Sequence, residues 1–199
     1  MKQFKCRASE SGKLMTNPQK KDATISKTTI SYLQEWYKEN LYGHRKELNN
    51  KYINKGIALE DVAIDKMIEW LDLSFVMKNT DKFSDDYFTG EPDVICDGVV
   101  YDTKCSWDCF TFPLFEEELP KKDYFYQMQV YMHLTGCKKA VVCYVLLDSD
   151  DDWSDTNYNE LGKDLRCKSF EIDYDAEVIE KLIERVNLSR EYLETIKIK

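Results

Sequence analysis

No apolar run in the 199-residue sequence approaches the ~18–20 residues that a membrane-spanning helix requires. The N-terminus, MKQFKCRASESGKLMT, lacks the apolar core of a signal peptide, so a cytoplasmic location and no membrane partner are expected. Histidine occurs only at His44 and His133, which excludes a histidine-rich metal centre. The seven cysteines include no CxxC pair and are an odd number. That spacing argues against a zinc or iron–sulfur site and for reduced thiols packed as small hydrophobes. Internal repeats, low-complexity tracts and Pro/Gly/Ser-rich linkers are also missing, and the length suits one α/β unit over 1–199.

Net positive charge is lacking too: the formal charge is −9, which on its face disfavours a nucleic-acid partner. The distribution reads differently. Residues 1–55 carry 12 Lys/Arg against 5 Asp/Glu, a net of +7, and residues 56–199 carry 16 against 32, a net of −16. Such asymmetry points to a basic segment that contacts a polyanion.

Periodicity divides the chain into a basic helical segment (1–55), a central core (56–147) and a terminal part (148–199). Ile30, Leu33, Trp36, Tyr37 and Leu41 form a stripe that predicts a helix over 28–42. Leu59, Val62, Ala63, Met67 and Trp70 do the same for 56–71. Strands are expected over 75–78, 92–96 and 99–105, the last two around Asp97-Gly98, a strong hairpin signal. A helix over 123–135 should close at Gly136. The apolar run 139–147 suits a strand buried on both faces. An acidic loop (148–155), an edge strand (170–174) and a helix (175–196) complete an α/β order with a mixed sheet between helices.

The hairpin carries the chemistry. If Asp97-Gly98 is a two-residue turn, Cys96 faces Val99, and counting outward sets Asp93 opposite Asp102. Cross-strand Cβ atoms are only ~4.5–5.5 Å apart. Period-two alternation puts Lys104 on the face of Asp102. Two carboxylates so close repel each other, and a divalent cation with a preference for hard oxygen ligands relieves the repulsion.

These residues also carry a resemblance. Gly90-Glu91-Pro92-Asp93 followed by Asp102-Thr103-Lys104 resembles the motif of the PD-(D/E)xK nuclease superfamily. Upstream, KGIALEDVAIDKM (55–67) is similar to a helix of lambda-type phage exonucleases (the YqaJ-like viral recombinase family) and maps their metal-proximal glutamate onto Glu60. Downstream, YFYQMQVYMHLTG (124–136) is similar to the QxxxY helix shared with RecB-like nuclease domains. Gln127 and Tyr131 are i, i+4 there and share a face, while Gln129 points elsewhere and reads as structural. Arg7-Ala8-Ser9 with Lys13 and Thr16 resembles the segment that contacts DNA phosphates in that family. Two positions depart from the pattern: Asp102 stands where lambda-type enzymes prefer Glu, and Trp107 where relatives often have Pro.

The resemblance implies a restriction-endonuclease-like α/β fold and a deoxyribonuclease that uses one or two Mg²⁺ or Mn²⁺ ions. It implies Asp93, Asp102, Glu60 and the Thr103 carbonyl as metal ligands, with Lys104, Gln127 and Tyr131 beside the reacting phosphate. Arg7, Ser9 and Lys13 would bind DNA. An exonuclease acting on double-stranded ends in phage-type recombination or replication is the favoured reading. It is compatible with a single-strand-annealing or single-strand-binding partner protein and with a homo-oligomer. The alternatives are an endonuclease of restriction, repair or branch-cutting type, and a non-catalytic binding module or acidic DNA mimic. The intact Asp93, Asp102 and Lys104 disfavour the last two.

Overall fold

The computed structural model describes residues 2–20, 22–46, 50–148 and 157–196. Two sheets carry the architecture. The smaller joins β1 (Cys6–Arg7), β2 (Phe83–Ser84) and β3 (Phe88–Gly90) in the order β1-β3-β2. The larger joins β4 (Val94–Cys96), β5 (Val99–Ser106), β6 (Lys139–Leu146) and β7 (Cys167–Asp173) in sequence order. Its outer pairs are antiparallel and β5–β6 is parallel. A parallel pair needs a crossover connection, and a helix over Lys122–Thr135 lies within it. The mixed sheet with flanking helices agrees with the expected α/β class.

The register of the β4–β5 hairpin comes from its turn. Asp97 (φ 48°) and Gly98 (φ 75°) both lie in the left-handed region, as a type I′ turn requires. Cys96 therefore pairs with Val99 and Val94 with Tyr101. The ladder stops one residue short of Asp93, just after Pro92, which has no N–H to offer. In place of a ladder bond, Asp93 Oδ2 accepts from the Thr103 amide at 2.7 Å.

Alternation sorts the large sheet into two buried faces. On one, Val100, Ala140, Val142, Phe170 and Ile172 meet the main core. This core is completed by α1 (Ser11–Leu14), α2 (Lys27–Tyr42) and the helix over Lys122–Thr135. A terminal helix over Ala176–Thr195 adds Ile179, Leu182 and Val186. On the other face, Val94, Cys143, Val145 and Leu147 pack against Ala63, Ile64 and Met67 of α3 (Lys51–Trp70). We number the two later helices α4 (Lys122–Thr135) and α5 (Ala176–Thr195). Strand β6 is apolar on both faces because helices cover both. Gln129, fully buried, ties α4 to the next crossing: its amide nitrogen donates to Asp173 O and its oxygen accepts from Asp175 N, both at 2.8 Å.

Two expectations need correction. Helix α3 begins at Lys51 rather than at 56, because the Asn50 side chain caps it by accepting from Tyr52 N and Ile53 N. Gly56 thus lies inside a helix instead of opening one. Residues 75–78 form no strand: Phe75 has φ 59° and is fully exposed, so the segment is irregular coil. Strands β2 and β3, two and three residues long, are too short to show a periodic signal. Of the acidic loop at 148–155, only Asp148 lies within the described residues. It accepts from Tyr158 N and Asn159 N at 2.7 and 3.0 Å.

The turn should be sensitive at Gly98. A methyl group there meets no neighbour within 4 Å, so only the left-handed backbone penalises it. Gly98→Ala should cost about 1–2 kcal/mol in urea unfolding. No loss would show that the turn does not hold the register.

Candidate active site

Asp102 is an acid in an apolar row. Its neighbour across the parallel pair is Val142, and Phe170 lies beyond. The residue is 2% exposed. A buried carboxylate survives only with compensating partners, and β5 and α4 provide them. Oδ1 accepts from the Gln127 amide at 3.1 Å. Oδ2 lies 2.5 Å from Lys104 Nζ in a buried ion pair.

Helix α4 is positioned for this by its i, i+4 pair. Gln127 also donates to Tyr131 Oη at 3.1 Å, and Tyr131 donates to Glu91 O at 3.2 Å. Strand β3 can approach the Tyr131 ring because residue 90 is glycine: a Cβ there would stand 2.7 Å from the ring. The Lys104 ammonium donates to Gln127 Oε1 at 3.4 Å and lies 4.5 Å from the centroid of the Tyr124 ring. Burial opposes its charge, but the Asp102 carboxylate outweighs burial and holds the Lys104 pKa above its ordinary value.

Asp93 faces the same point from β4. Desolvation, then the Asp102 charge, pushes its pKa up to about 7, against the opposing Thr103 amide and Lys104. Asn79 clamps this residue: its amide N–H donates to Asp93 O at 2.7 Å and its side chain to Pro92 O at 3.0 Å.

Together with Glu60 these groups line a cleft of about 750 Å³. Glu60 is half exposed and is paired with Lys78 at 2.6 Å; Lys78 also holds Asp61 at 2.8 Å. Among the described residues, no group of three or more His, Cys, Asp or Glu side chains is close enough to hold a metal ion unaided. The structure therefore brings Asp93, Asp102, Lys104, Gln127 and Tyr131 together and keeps Glu60 at the cleft wall. Ser9 lines this cleft and a smaller recess of about 170 Å³, which it shares with Arg7, Arg45 and Lys82. Arg7 is paired with Glu39 at 3.0 Å. Lys13 does not line either: it pairs with Glu10 and lies over the Tyr32 ring. Sequence reading missed Lys78, Asn79 and Tyr124. The first two lie in irregular coil, and only their long-range contacts reveal them.

The donor set suits a hard divalent cation. It combines two carboxylates close enough for the Asp102 charge to raise the Asp93 pKa. The Thr103 amide faces Asp93, and its carbonyl leaves the strand on the same side. Mg²⁺ commonly uses only one or two carboxylates and completes its shell with water and substrate phosphate.

This fold is a mixed α/β core of the restriction-endonuclease-like type. No family model matches the chain, and no curated protein matches it by sequence. Among solved structures, the chain is similar to a phage-related exonuclease from Haemophilus somnus 129PT. The two share 29% identity and a TM-score of 0.86, over 97% of this chain and 95% of that one. It also shares its fold with an alkaline exonuclease from Laribacter hongkongensis at 20% identity and TM-score 0.72, over 96% and 88% of the two chains. The same enzyme in complex with dAMP gives 23% identity and a TM-score of 0.70, with the same coverage. The resemblance seen in the short motifs thus extends along nearly the whole chain.

The raised Asp93 pKa has a consequence for stability. An acid that titrates near 7 when folded and near 4 when unfolded stabilises the fold fully below about pH 4 and loses that contribution as pH rises through 7. Without metal, Asp93→Asn keeps the acceptor for Thr103 and removes the charge. It should therefore raise stability at pH 8 by on the order of 2 kcal/mol, and the gain should shrink toward pH 4. Thermal melts across this range in a chelator test it, and a destabilised variant at pH 8 would contradict the assignment.

Proposed function

We propose that the protein is a metal-dependent deoxyribonuclease, an exonuclease that acts on ends of double-stranded DNA in a cytoplasm. The observation that carries this reading is the buried Asp102, which shares Lys104 and Gln127 within one cleft next to Asp93. The exonuclease names of the similar structures support it, and the dAMP complex of one of them suits a site for nucleotides. Among the described residues, no helix is long and apolar enough to cross a membrane.

Asp93, Asp102 and the Thr103 carbonyl would hold one or two Mg²⁺ or Mn²⁺ ions, with Glu60 contributing from the lining of the same cleft. A cation bound there supplies Lewis acidity toward the phosphoryl group. Lys104, kept cationic by Asp102, neutralises charge that builds on the phosphate and orients the attacking water. Gln127 fixes both Asp102 and Lys104, and Tyr131 fixes Gln127, so the constellation is held from α4 before substrate arrives. Arg7 and Ser9, in the adjoining recess, bind a phosphate near the cut end.

The test uses four labelled DNA substrates with Mg²⁺: linear duplex, nicked circle, closed circle and single strand. Linear duplex should be degraded and closed circle left intact. Asp93→Ala, Asp102→Ala and Lys104→Ala should each reduce the rate by roughly 10²-fold or more. Excess chelator should abolish cleavage. Cleavage of the closed circle would make the protein an endonuclease, and undiminished activity of Asp102→Ala would remove the site altogether.

A further inference from the structure

The cleft continues past Lys104. A second groove of about 560 Å³ shares Ile53, Lys104, Cys105 and Tyr124 with it and follows the C-terminal end of β5. Three features of this groove call for a ligand.

The first is an immobilised indole. The Trp107 ring meets Tyr52 edge-on at 4.9 Å, and the ammonium groups of Lys51 and Lys55 lie 5.1 and 5.7 Å from its centroid. Lys55, only 7% exposed, donates to Trp107 O at 2.8 Å and to Leu147 O at 2.9 Å. Ring and backbone are both tied down.

The second is Phe110, a groove-lining side chain that is 93% exposed. Its turn is held firmly, because Asp108 Oδ1 accepts from Phe110 N at 3.1 Å and from Thr111 N at 2.9 Å. A large apolar ring presented to water on a fixed turn is poised to stack.

The third is a pair of buried hydroxyls. Ser106 and Tyr144 line the groove and are 5% and 6% exposed, and among the described residues neither buried hydroxyl has a hydrogen-bond partner. Burying such groups without a partner is costly, so each is suited to a ligand. The charge balance favours an anion: Lys55, Lys104 and Lys121 line the groove against Glu116.

From these features we infer that the groove is a subsite for unpaired nucleotides next to the scissile phosphate. Bases stack on Phe110 and Trp107, and the Ser106 and Tyr144 hydroxyls bond polar edges of the sugar or base. The volume matches a small-molecule pocket and suits a few nucleotides, not a duplex. Stacking accepts every base, so binding here is indifferent to sequence. The inference rests on the hydrolytic reading of the cleft, because the groove opens onto it at Lys104.

Fluorescence anisotropy of a labelled eight-nucleotide oligothymidylate tests it, with the full chain in Ca²⁺. Phe110→Ala should weaken binding roughly tenfold. Tyr144→Phe should weaken it several-fold while the thermal midpoint holds or rises, since that change deletes an unpartnered hydroxyl. Wild-type affinity in both variants, or no binding by the wild type, would overturn the subsite. Cleavage of linear duplex by the wild type in Mg²⁺ is measured alongside. Cleavage with unaltered oligonucleotide binding in the variants rejects the groove alone. No cleavage rejects the hydrolytic reading on which the groove depends.

Discussion

The Asp102 carboxylate sits in a row of Val142 and Phe170, and most of the site's construction answers the cost of keeping it there. An unpaired charge at 2% exposure would be strongly destabilising. Lys104, two residues on along the same strand face, supplies the counter-charge. Gln127 supplies the neutral hydrogen bond and in turn needs Tyr131, which needs the Glu91 carbonyl and the bare Cα of Gly90. The position of α4 on the sheet and the approach of the small sheet to α4 are thus coupled to one buried oxygen pair. The compensation does not extend to Asp93, whose pKa is raised by desolvation and then by the Asp102 charge. A second carboxylate held against the first costs stability, which is the pattern of a functional site.

The parts of this arrangement that are local in sequence were legible in it. The Asp97-Gly98 turn with period-two alternation sets Asp93 beside Asp102 and puts Lys104 on the same face, and the i, i+4 spacing pairs Gln127 with Tyr131. Parts that depend on tertiary contact were not. Asn79 clamps Asp93 from irregular coil that apolar residues had made look like a strand. Lys78 reaches Glu60 from the same coil. No periodicity marks either residue. Helix α3 gained a turn at its start because a single side chain, Asn50, caps it, a signal outweighed by the glycine at position 56.

Charge counting in the N-terminal segment shows the limit of composition. Its surplus of lysine and arginine suggested a polyanion-binding face, yet part of it is spent internally. Arg7 pairs with Glu39, Lys46 with Glu35 and Lys13 with Glu10. Basic side chains that line the clefts come from several parts of the chain: Arg7 and Arg45 from the N-terminal segment, Lys78 and Lys82 from the coil before the hairpin, and Lys104 and Lys121 beyond it. An acidic protein can meet a polyanion in this way, with cations concentrated in recesses while the remaining surface stays negative.

On the proposed function, the Asp93–Asp102 pair binds a divalent cation without DNA. Titration of Mn²⁺ into the DNA-free protein, followed by electron paramagnetic resonance of the free ion, tests it most directly. The wild type should bind Mn²⁺ in competition with Mg²⁺, and folded Asp102→Asn should lose affinity by roughly 10- to 100-fold or more. Equal Mn²⁺ binding by wild type and Asp102→Asn would contradict the account.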